Sequence, residues 1–262
     1  MVTTIALAGK GGVGKTTISA MVIKYLIKTQ PGSILAIDAD PSANLNMVLG
    51  LGLDWTIGDI REDMLHKVKQ SITAGGAAMG ALPGGMSKQD YLNYEVHSAV
   101  EEGNRFDLIA MGQPEGPGCY CAVNHTLRNV IDDISTGYKY IVIDNEAGME
   151  HLSRRTTRNV EHLLVVSDPT QRGLVAAERI ADLRRTLDID VENAYIILNR
   201  VPGEVPSAVK NKIDELDLTY LGSVPANTEL TEMEFEGEAV VEVSDDNPVY
   251  LAISEMMENI IS

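Results

Sequence analysis

Residues 9–17 of the 262-residue chain read GKGGVGKTT. It matches the pattern G-x-x-x-x-G-K-[ST], with Gly9, Gly14, Lys15 and Thr16 at the fixed positions. An apolar run that suits a buried strand precedes the loop and a helical pattern follows it, which is the context that a phosphate-binding loop requires. Glycines let such a loop curl until its backbone N–H groups face the phosphates, and the positive end of the following helix adds to the attraction. The stretch therefore predicts a nucleoside triphosphate site.

Each polar side chain of the loop suits one part of a magnesium–nucleotide complex. The Lys15 ammonium is expected to contact the β- and γ-phosphates, and the Thr16 hydroxyl is expected to ligate Mg²⁺. The predicted nucleotide-binding residues of the loop are Gly9, Gly11, Gly12, Val13, Gly14, Lys15, Thr16 and Thr17.

Short, nearly continuous apolar runs recur along the chain, with helix-like segments between them. Such runs suit strands that are buried on both faces of a parallel sheet. Their alternation with helices predicts a single α/β P-loop NTPase domain over residues 1–262, with a doubly wound, mostly parallel sheet flanked by helices. The predicted strands are 3–9, 33–39, 106–112, 140–146, 162–168, 194–200 and 220–225. The predicted helices are 15–29, 124–135, 150–160, 173–187, 207–216 and 248–261, and the glycine-rich residues 73–86 are expected to form a surface loop.

Composition narrows the classes of function. The formal net charge of −17 argues against a nucleic-acid binder, because phosphate backbones need clustered Lys and Arg. No apolar run approaches the roughly 20 residues of a membrane span, and the N-terminus lacks the layout of a signal peptide. The amphipathic C-terminal segment carries acidic charges, whereas a membrane-surface helix carries basic ones. We expect a cytoplasmic protein that binds neither nucleic acid nor membrane.

The second lysine of the loop, Lys10 in KGGVGKT, makes it resemble a deviant Walker A motif. This motif marks the group that contains partitioning and cell-division ATPases, the nitrogenase iron protein and several metallochaperone ATPases. The resemblance implies an ATP-binding homodimer that sandwiches its nucleotides, with Lys10 reaching the phosphates of the partner. Two further stretches agree with it, because DADPSANL (38–45) resembles the switch I of the group and DNEAGME (144–150) resembles its switch II.

The same resemblance implies roles for residues of the two switches. Asp40 would orient the attacking water, so that Lys10, Lys15 and Asp40 are the expected catalytic residues. Asp38 would lie near the metal, Asp144 would hold Mg²⁺ through water, and Gly148 would sense the γ-phosphate. An Asp at the end of a strand could instead be only a helix cap.

The nucleobase is expected near ILNRVP (197–202) and SVPAN (223–227), where members of the group hold it. Asn199 is the candidate for a hydrogen bond to adenine, with Arg200 beside it in the predicted nucleotide site. The alternative is a plain asparagine that ends a strand.

The chain has two cysteines, Cys119 and Cys121, within the glycine- and proline-rich element 115–125. A disulfide between positions i and i+2 would be strained, and a reducing compartment disfavours it. In an extended segment both sulfurs point to one side and can share an ion. If a dimer axis passes nearby, two subunits provide four thiolates, which suit Ni²⁺, Zn²⁺ or a small iron–sulfur cluster. A nucleophilic role and a role as buried small apolar residues are the alternatives.

Together with TIGDIRE (56–62) and EGPGCYCAVN (115–124), these motifs resemble those of the CooC-type ATPases. Members of that family help to load nickel into the active-site cluster of carbon monoxide dehydrogenase. The resemblance covers nearly the whole chain, and its specific part is the Cys-x-Cys element together with TIGDIRE. It implies Cys119 and Cys121 as ligands of Ni²⁺ or Zn²⁺, ATP and Mg²⁺ as cofactors, and a nickel enzyme as client. That client is carbon monoxide dehydrogenase or an enzyme of acetyl-CoA synthesis.

Two other classes of function stay open at this point. An iron–sulfur protein could hold a cluster with the same four cysteines, although the DNEAGME stretch carries no cysteine, unlike switch II of the nitrogenase iron protein. A positioning or partitioning ATPase would need a basic surface or a basic C-terminal helix, and the sequence carries neither.

Overall fold

The computed structural model describes residues 2–73, 86–113, 129–145, 159–184 and 190–261. Within these ranges, eight strands form one sheet. The strands are β1 (Thr3–Gly9), β2 (Ile34–Asp38), β3 (Glu101–Glu102), β4 (Phe106–Ala110), β5 (Tyr140–Asp144), β6 (Asn159–Ser167), β7 (Asp190–Val201) and β8 (Thr219–Pro225).

Helices cover both faces of this sheet. In chain order they are α1 (Lys15–Thr29), α2 (Leu45–Val48), α3 (Ile57–Thr73), α4 (Lys88–Ser98), α5 (129–135), α6 (Gln171–Arg184), α7 (Ser207–Asp214), α8 (Thr228–Glu236), a 3₁₀ turn (Val240–Glu242) and α9 (Pro248–Glu258). Among the described helices, none combines the length and the apolar character that crossing a membrane requires.

The strand order is β3-β4-β2-β5-β1-β6-β7-β8, and every neighbouring pair is parallel except the antiparallel edge pair β3–β4. From β1 the chain passes to β2 on one side, and it later reaches β6 on the other side. In doubly wound sheets, ligands bind outside the carboxyl ends of the strands at such a reversal. The predicted α/β fold is confirmed, and its reversal point places the loop of residues 9–17 at the binding edge.

Alternate residues of each central strand enter different cores. Ala6 and Ala8 of β1 face the core beneath α3, α4, α5, α6 and α7. Ile5 and Leu7 face the core beneath α1, α2, α8 and α9. Because both faces are covered, the strands read as continuous apolar runs and not as alternating ones. The two cores hold the carboxyl ends of the strands at one edge, where the polar residues lie.

The structure corrects parts of the sequence-based expectation. Helices α2, α3, α4 and α8 were not predicted, nor was the short edge strand β3. Of the predicted helix 150–160, residues 159–160 instead begin β6, because Asn159 and Val160 pair with the first residues of β7. Residues 124–128, 150–158 and 185–187 of the predicted helices, residue 146 of a predicted strand and residues 74–85 of the predicted loop lie outside the described part of the chain.

Candidate functional site

The loop between β1 and α1 has the curled backbone that its glycines allow. Gly12 and Gly14 adopt φ angles of 79° and 88°, which L-residues rarely adopt. Gly14 is the N-cap of α1, so the first backbone N–H groups of a 15-residue helix point at the loop. This arrangement is a site for an anion at a helix N-terminus.

The two lysines of the loop lie in different surroundings. The side chain of Lys15 is buried, and its Nζ lies 3.4 Å from the carbonyl oxygen of Lys10, across the inside of the loop. Lys10 itself is exposed. Lys15 therefore faces the predicted phosphate site of its own chain, while the side chain of Lys10 is accessible from outside.

The Thr16 hydroxyl donates a hydrogen bond of 2.7 Å to Oδ2 of Asp144, which ends β5. Asp144 is 2% exposed, and its Oδ1 has no hydrogen-bond partner among the described residues. Burial raises the pKa of the Asp144 carboxyl to about 6; the hydroxyls of Thr16 and Ser19 and the charge of Lys15 lower it, and the charge of Asp40 raises it. An unpaired carboxylate oxygen next to a hydroxyl is the oxygen-rich environment that Mg²⁺ prefers, so these residues fit that ion.

Asp38 shapes the loop that follows β2. Its carboxylate accepts hydrogen bonds from the backbone N–H of Asp40 (3.0 Å) and of Leu45 (2.8 Å), and the residue is 1% exposed. Burial raises the pKa of Asp38 to about 7; the two amide hydrogen bonds lower it, and the charges of Asp144 and Asp40 raise it further. Asp38 and Asp144 are register partners on β2 and β5. The predicted switch I thus folds around one buried carboxyl beside the predicted Mg²⁺ site.

Asp40 lies on the same loop but reaches the solvent-facing side. Its Oδ1 accepts hydrogen bonds from the backbone N–H of Ser42 (2.9 Å) and from the Ser42 hydroxyl. Asp40 is half-buried and lines the same cavity as Lys15 and Thr16. Two of the three predicted catalytic residues, Lys15 and Asp40, therefore line one cavity.

Asn199 and Arg200, at the end of β7, contact the phosphate loop itself. The Asn199 Nδ2 donates to the carbonyl oxygen of Val13 at 2.8 Å, and an Arg200 guanidinium N–H donates to that of Gly12 at 2.9 Å. Asn199 Oδ1 accepts from the backbone N–H of Arg200 at 2.9 Å. The predicted contact of Asn199 with adenine stays a prediction.

The loop, switch I and α8 enclose a cavity of about 560 Å³, within the size range of small-ligand sites. Its lining residues are Gly11, Gly12, Gly14, Lys15, Thr16, Thr17, Asp40, Ser42, Asn44, Met47, Val48, Arg200, Glu234, Gly237 and Glu238. A smaller cavity of about 40 Å³ lies between the ends of β7 and β8, lined by Asn199, Arg200, Pro225 and Asn227 among others. The structure thus brings together the two segments that were expected to hold the base.

Sequence reasoning missed the contribution of α8. Glu234 accepts a hydrogen bond from the Thr17 hydroxyl and lines both cavities. Asn227 caps this helix by accepting from the backbone N–H of Leu230 at 2.9 Å. An Asn before a helical segment is a recognisable N-cap signal, so the helix, although not its reach to Thr17, could have been found.

Three predicted site residues, Gly148, Cys119 and Cys121, lie outside the described part of the chain. Within residues 2–73, 86–113, 129–145, 159–184 and 190–261, no group of three or more His, Cys, Asp or Glu side chains is arranged to hold a metal ion.

Residues 4–240 match the model of a protein family described as the CobQ/CobB/MinD/ParA nucleotide binding domain. An uncharacterized ATP-binding protein of Methanocaldococcus jannaschii is 41% identical over 258 residues, which cover 98% of each chain. The carbon monoxide dehydrogenase accessory protein CooC of Rhodospirillum rubrum is 30% identical over 229 residues, covering 84% of this chain and 82% of that protein.

Among solved structures, the fold is similar to that of the septum site-determining protein MinD from Pyrococcus horikoshii OT3, complexed with Mg-ADP. The TM-score is 0.67 at 21% identity, covering 100% of this chain and 97% of the other. At this identity the likeness concerns the fold alone.

Replacing Asp38 by Asn tests its buried carboxyl. Because the folded pKa of about 7 lies above the unfolded value of about 3.9, the folded protein keeps a proton that the unfolded chain releases. The retained proton adds to the free energy of unfolding; this contribution is fully present below about pH 4 and is lost as the pH rises through about 7. The unfolding free energy of the wild type minus that of Asp38→Asn should therefore fall between these limits and then level off. Urea unfolding of metal-free protein measures it, and a pH-independent difference contradicts the assignment.

Replacing Gly14 by Ala tests the close packing of the loop. A Cβ at this position would lie 2.5 Å from Nδ2 of Asn199, in addition to the backbone strain. Gly203→Ala is the control, because Gly203 also has a positive φ, 104°, with no atom within 4 Å of its Cβ position, and it does not line the cavity. We expect Gly203→Ala to cost about 1 to 2 kcal/mol of unfolding free energy and to keep ATP binding, and Gly14→Ala to cost more and to weaken ATP binding. Equal costs with intact ATP binding would contradict this packing.

Proposed function

Since the chain belongs to the CobQ/CobB/MinD/ParA nucleotide-binding family and is an ATPase, we propose that it uses ATP to help insert nickel into the active-site cluster of carbon monoxide dehydrogenase. The nickel is the cargo, and the enzyme that receives it is the client. The relative CooC, named as an accessory protein of carbon monoxide dehydrogenase, supports this function.

The nucleotide part of the proposal uses the residues of the 560 Å³ cavity. Lys15 and the loop amides hold the phosphates, and Thr16 and Asp144 hold Mg²⁺, the latter through water. Bound Mg²⁺ neutralises charge that develops on the phosphates during transfer. Asp40, oriented by Ser42, positions the attacking water. In a nucleotide-sandwiched homodimer the exposed Lys10 contacts the phosphates bound to the partner.

One observation carries the link from ATP to metal: the chain that leads to the Cys-x-Cys element is fixed to the switch I strand. The backbone N–H of Met111, just after β4, donates to the carbonyl oxygen of Asp38 at 2.8 Å. Only two residues separate Met111 from the start of the segment 114–128 that holds both cysteines. A shift of switch I on nucleotide binding would therefore act directly on the base of that segment.

The TIGDIRE stretch supports the same connection from the other side. The backbone N–H of Gly58, in the first turn of α3, donates to the carbonyl oxygen of Met111 at 3.0 Å. A Cβ on Gly58 would lie 2.5 Å from the carbonyl oxygen of Gln113, and one on Gly112 would lie 2.3 Å from the Thr56 hydroxyl. Residues 111–113 are thus packed between switch I and the start of α3, which gives TIGDIRE a physical reason to accompany the cysteine pair.

In the proposed cycle, Cys119 and Cys121 of two subunits hold one nickel ion with four thiolates, and ATP and Mg²⁺ close the paired subunits face to face. Closure changes the geometry of the four sulfurs, and hydrolysis restores the open form. Nucleotide can drive this transfer only through a difference in nickel affinity between the two forms.

Anaerobic titration of the reduced protein with Ni²⁺ tests the proposal. We expect about one Ni²⁺ per two subunits, because four thiolates complete a site at a twofold axis. The binding should be lost in Cys119→Ala/Cys121→Ala and its affinity should change on addition of ATP and Mg²⁺. Lys15→Ala is the matched control, since it should keep nickel binding and lose the effect of ATP.

Nickel binding that survives the double cysteine substitution would show that the pair is not the site, while leaving the ATPase intact. A brown protein with a visible absorption band after anaerobic purification would instead favour an iron–sulfur cluster at the same cysteines. Added carbon monoxide dehydrogenase lacking nickel should raise the rate of ATP hydrolysis, measured as released phosphate, and an unchanged rate counts against this client.

A further inference from the structure

We infer that Asn199 and Arg200 position the phosphate-binding loop, so that they govern the binding of the triphosphate whatever base it carries. The inference rests on the nucleotide binding of this family and is independent of nickel. It adds to the predicted role of Asn199 at the base a role that acts through the loop.

The two side chains hold consecutive carbonyl groups of the loop from one side. Arg200 donates to the carbonyl oxygen of Gly12 at 2.9 Å, and Asn199 donates to that of Val13 at 2.8 Å. In a planar trans peptide the carbonyl and the N–H of the next residue point in opposite directions. Fixing these two carbonyls therefore turns the N–H groups of Val13 and Gly14 to the opposite side.

The inside of the loop is that opposite side. The N–H of Val13 points at the carbonyl oxygen of Lys10, 3.4 Å away, and the Lys15 ammonium lies 3.4 Å from the same oxygen. The N–H groups that Asn199 and Arg200 orient are thus on the side of the loop where Lys15 lies and where phosphate is expected.

The two positioning residues are themselves held. Asn199 is 6% exposed, and its Oδ1 accepts the backbone N–H of Arg200 at 2.9 Å. Arg200 adopts a φ of 58°, a conformation that costs an L-residue free energy and persists where surrounding contacts fix it. This backbone turn lets two neighbouring residues of one strand end reach two neighbouring carbonyls.

The side chain of Asn199 lies so close to the loop that residue 14 has no room for a side chain of its own. A Cβ on residue 14 would lie 2.5 Å from Nδ2 of Asn199. Glycine at position 14 is therefore required both by its φ and by the approach of the amide. The end of β7 therefore supports the phosphate-binding loop, in addition to its predicted contact with the base.

Binding of three ligands to Asn199→Ala separates the two roles: MgATP, MgGTP and magnesium tripolyphosphate, which has no base. Isothermal titration gives both the dissociation constant and the fraction of competent sites. If Asn199 positions the loop, all three dissociation constants should rise by the same factor, about ten where the loop without this hydrogen bond holds its binding conformation roughly a tenth of the time. The fraction of competent sites should stay at the wild-type value, because a merely structural defect would lower that fraction and leave the dissociation constants alone.

Asn193→Ala is the matched control for Asn199. Asn193 lies about 20 Å away along the same strand, and its Nδ2 also donates to a backbone carbonyl, that of Glu161, at 3.2 Å. This variant should bind all three ligands as the wild type does.

Arg200→Gly removes the guanidinium of the second residue without straining the backbone turn, because glycine accepts the positive φ. Its control is Arg105→Gly, since Arg105 has a φ of 70° and donates to the carbonyl oxygens of Ile27 and Gln30. We expect weaker binding of all three ligands in Arg200→Gly alone, by a factor of about three that is the same at low and at high salt, because salt screens the loss of a direct charge contact but not the loss of a hydrogen bond to the loop. The inference is overturned if Asn199→Ala weakens MgATP but not tripolyphosphate, if it changes neither, or if only the fraction of competent sites falls.

Discussion

The carboxylate of Asp144, buried at the end of β5 with one oxygen lacking a partner among the described residues, is the constraint on which the site depends. A buried charge is costly unless opposite charge or donors compensate it. Thr16 and Lys15 supply part of that compensation, and a bound Mg²⁺ would supply the rest. The adjacent buried Asp38 makes the requirement stronger, because the two carboxyls are register partners on neighbouring strands. The two buried carboxyls, which destabilise the fold in the absence of a cation, thus lie where ATP and Mg²⁺ are expected to bind.

The sheet brings the parts of the candidate site together at one edge. The carboxyl ends of β1, β2, β4, β5 and β7 meet there, and each provides one part of the arrangement. The end of β2 leads into the predicted switch I, and the backbone N–H of Met111, after β4, is hydrogen-bonded to Asp38 there. The end of β7 contacts the phosphate loop after β1. Backbone hydrogen bonds therefore connect the expected phosphate site to the part of the chain that leads to the cysteines, and a movement at the phosphates can reach that part through them.

Sequence reasoning was most successful where local pattern and tertiary structure agree. The P-loop motif and the buried strands located the sheet and its binding edge, because burial on both faces leaves continuous apolar runs. Helix α3 was missed although Ile57, Ile60 and Met64 recur at helical spacing and are buried. The start of β6 was taken for helix because pairing with β7, a long-range contact, decides its structure. The hydrogen bond from Asn199 to the carbonyl oxygen of Val13 likewise joins residues 186 positions apart, which no local pattern reveals.

The coupling between nucleotide and metal is the central claim, and the most direct test is the affinity for a non-hydrolysable ATP analogue, measured anaerobically with and without Ni²⁺. Linkage requires that nickel change the affinity for the analogue by the same factor by which the analogue changes the affinity for nickel. The account predicts equal factors, different from one, in the wild type, and no effect in Cys119→Ala/Cys121→Ala. An affinity for the analogue that nickel leaves unchanged in the wild type would contradict it.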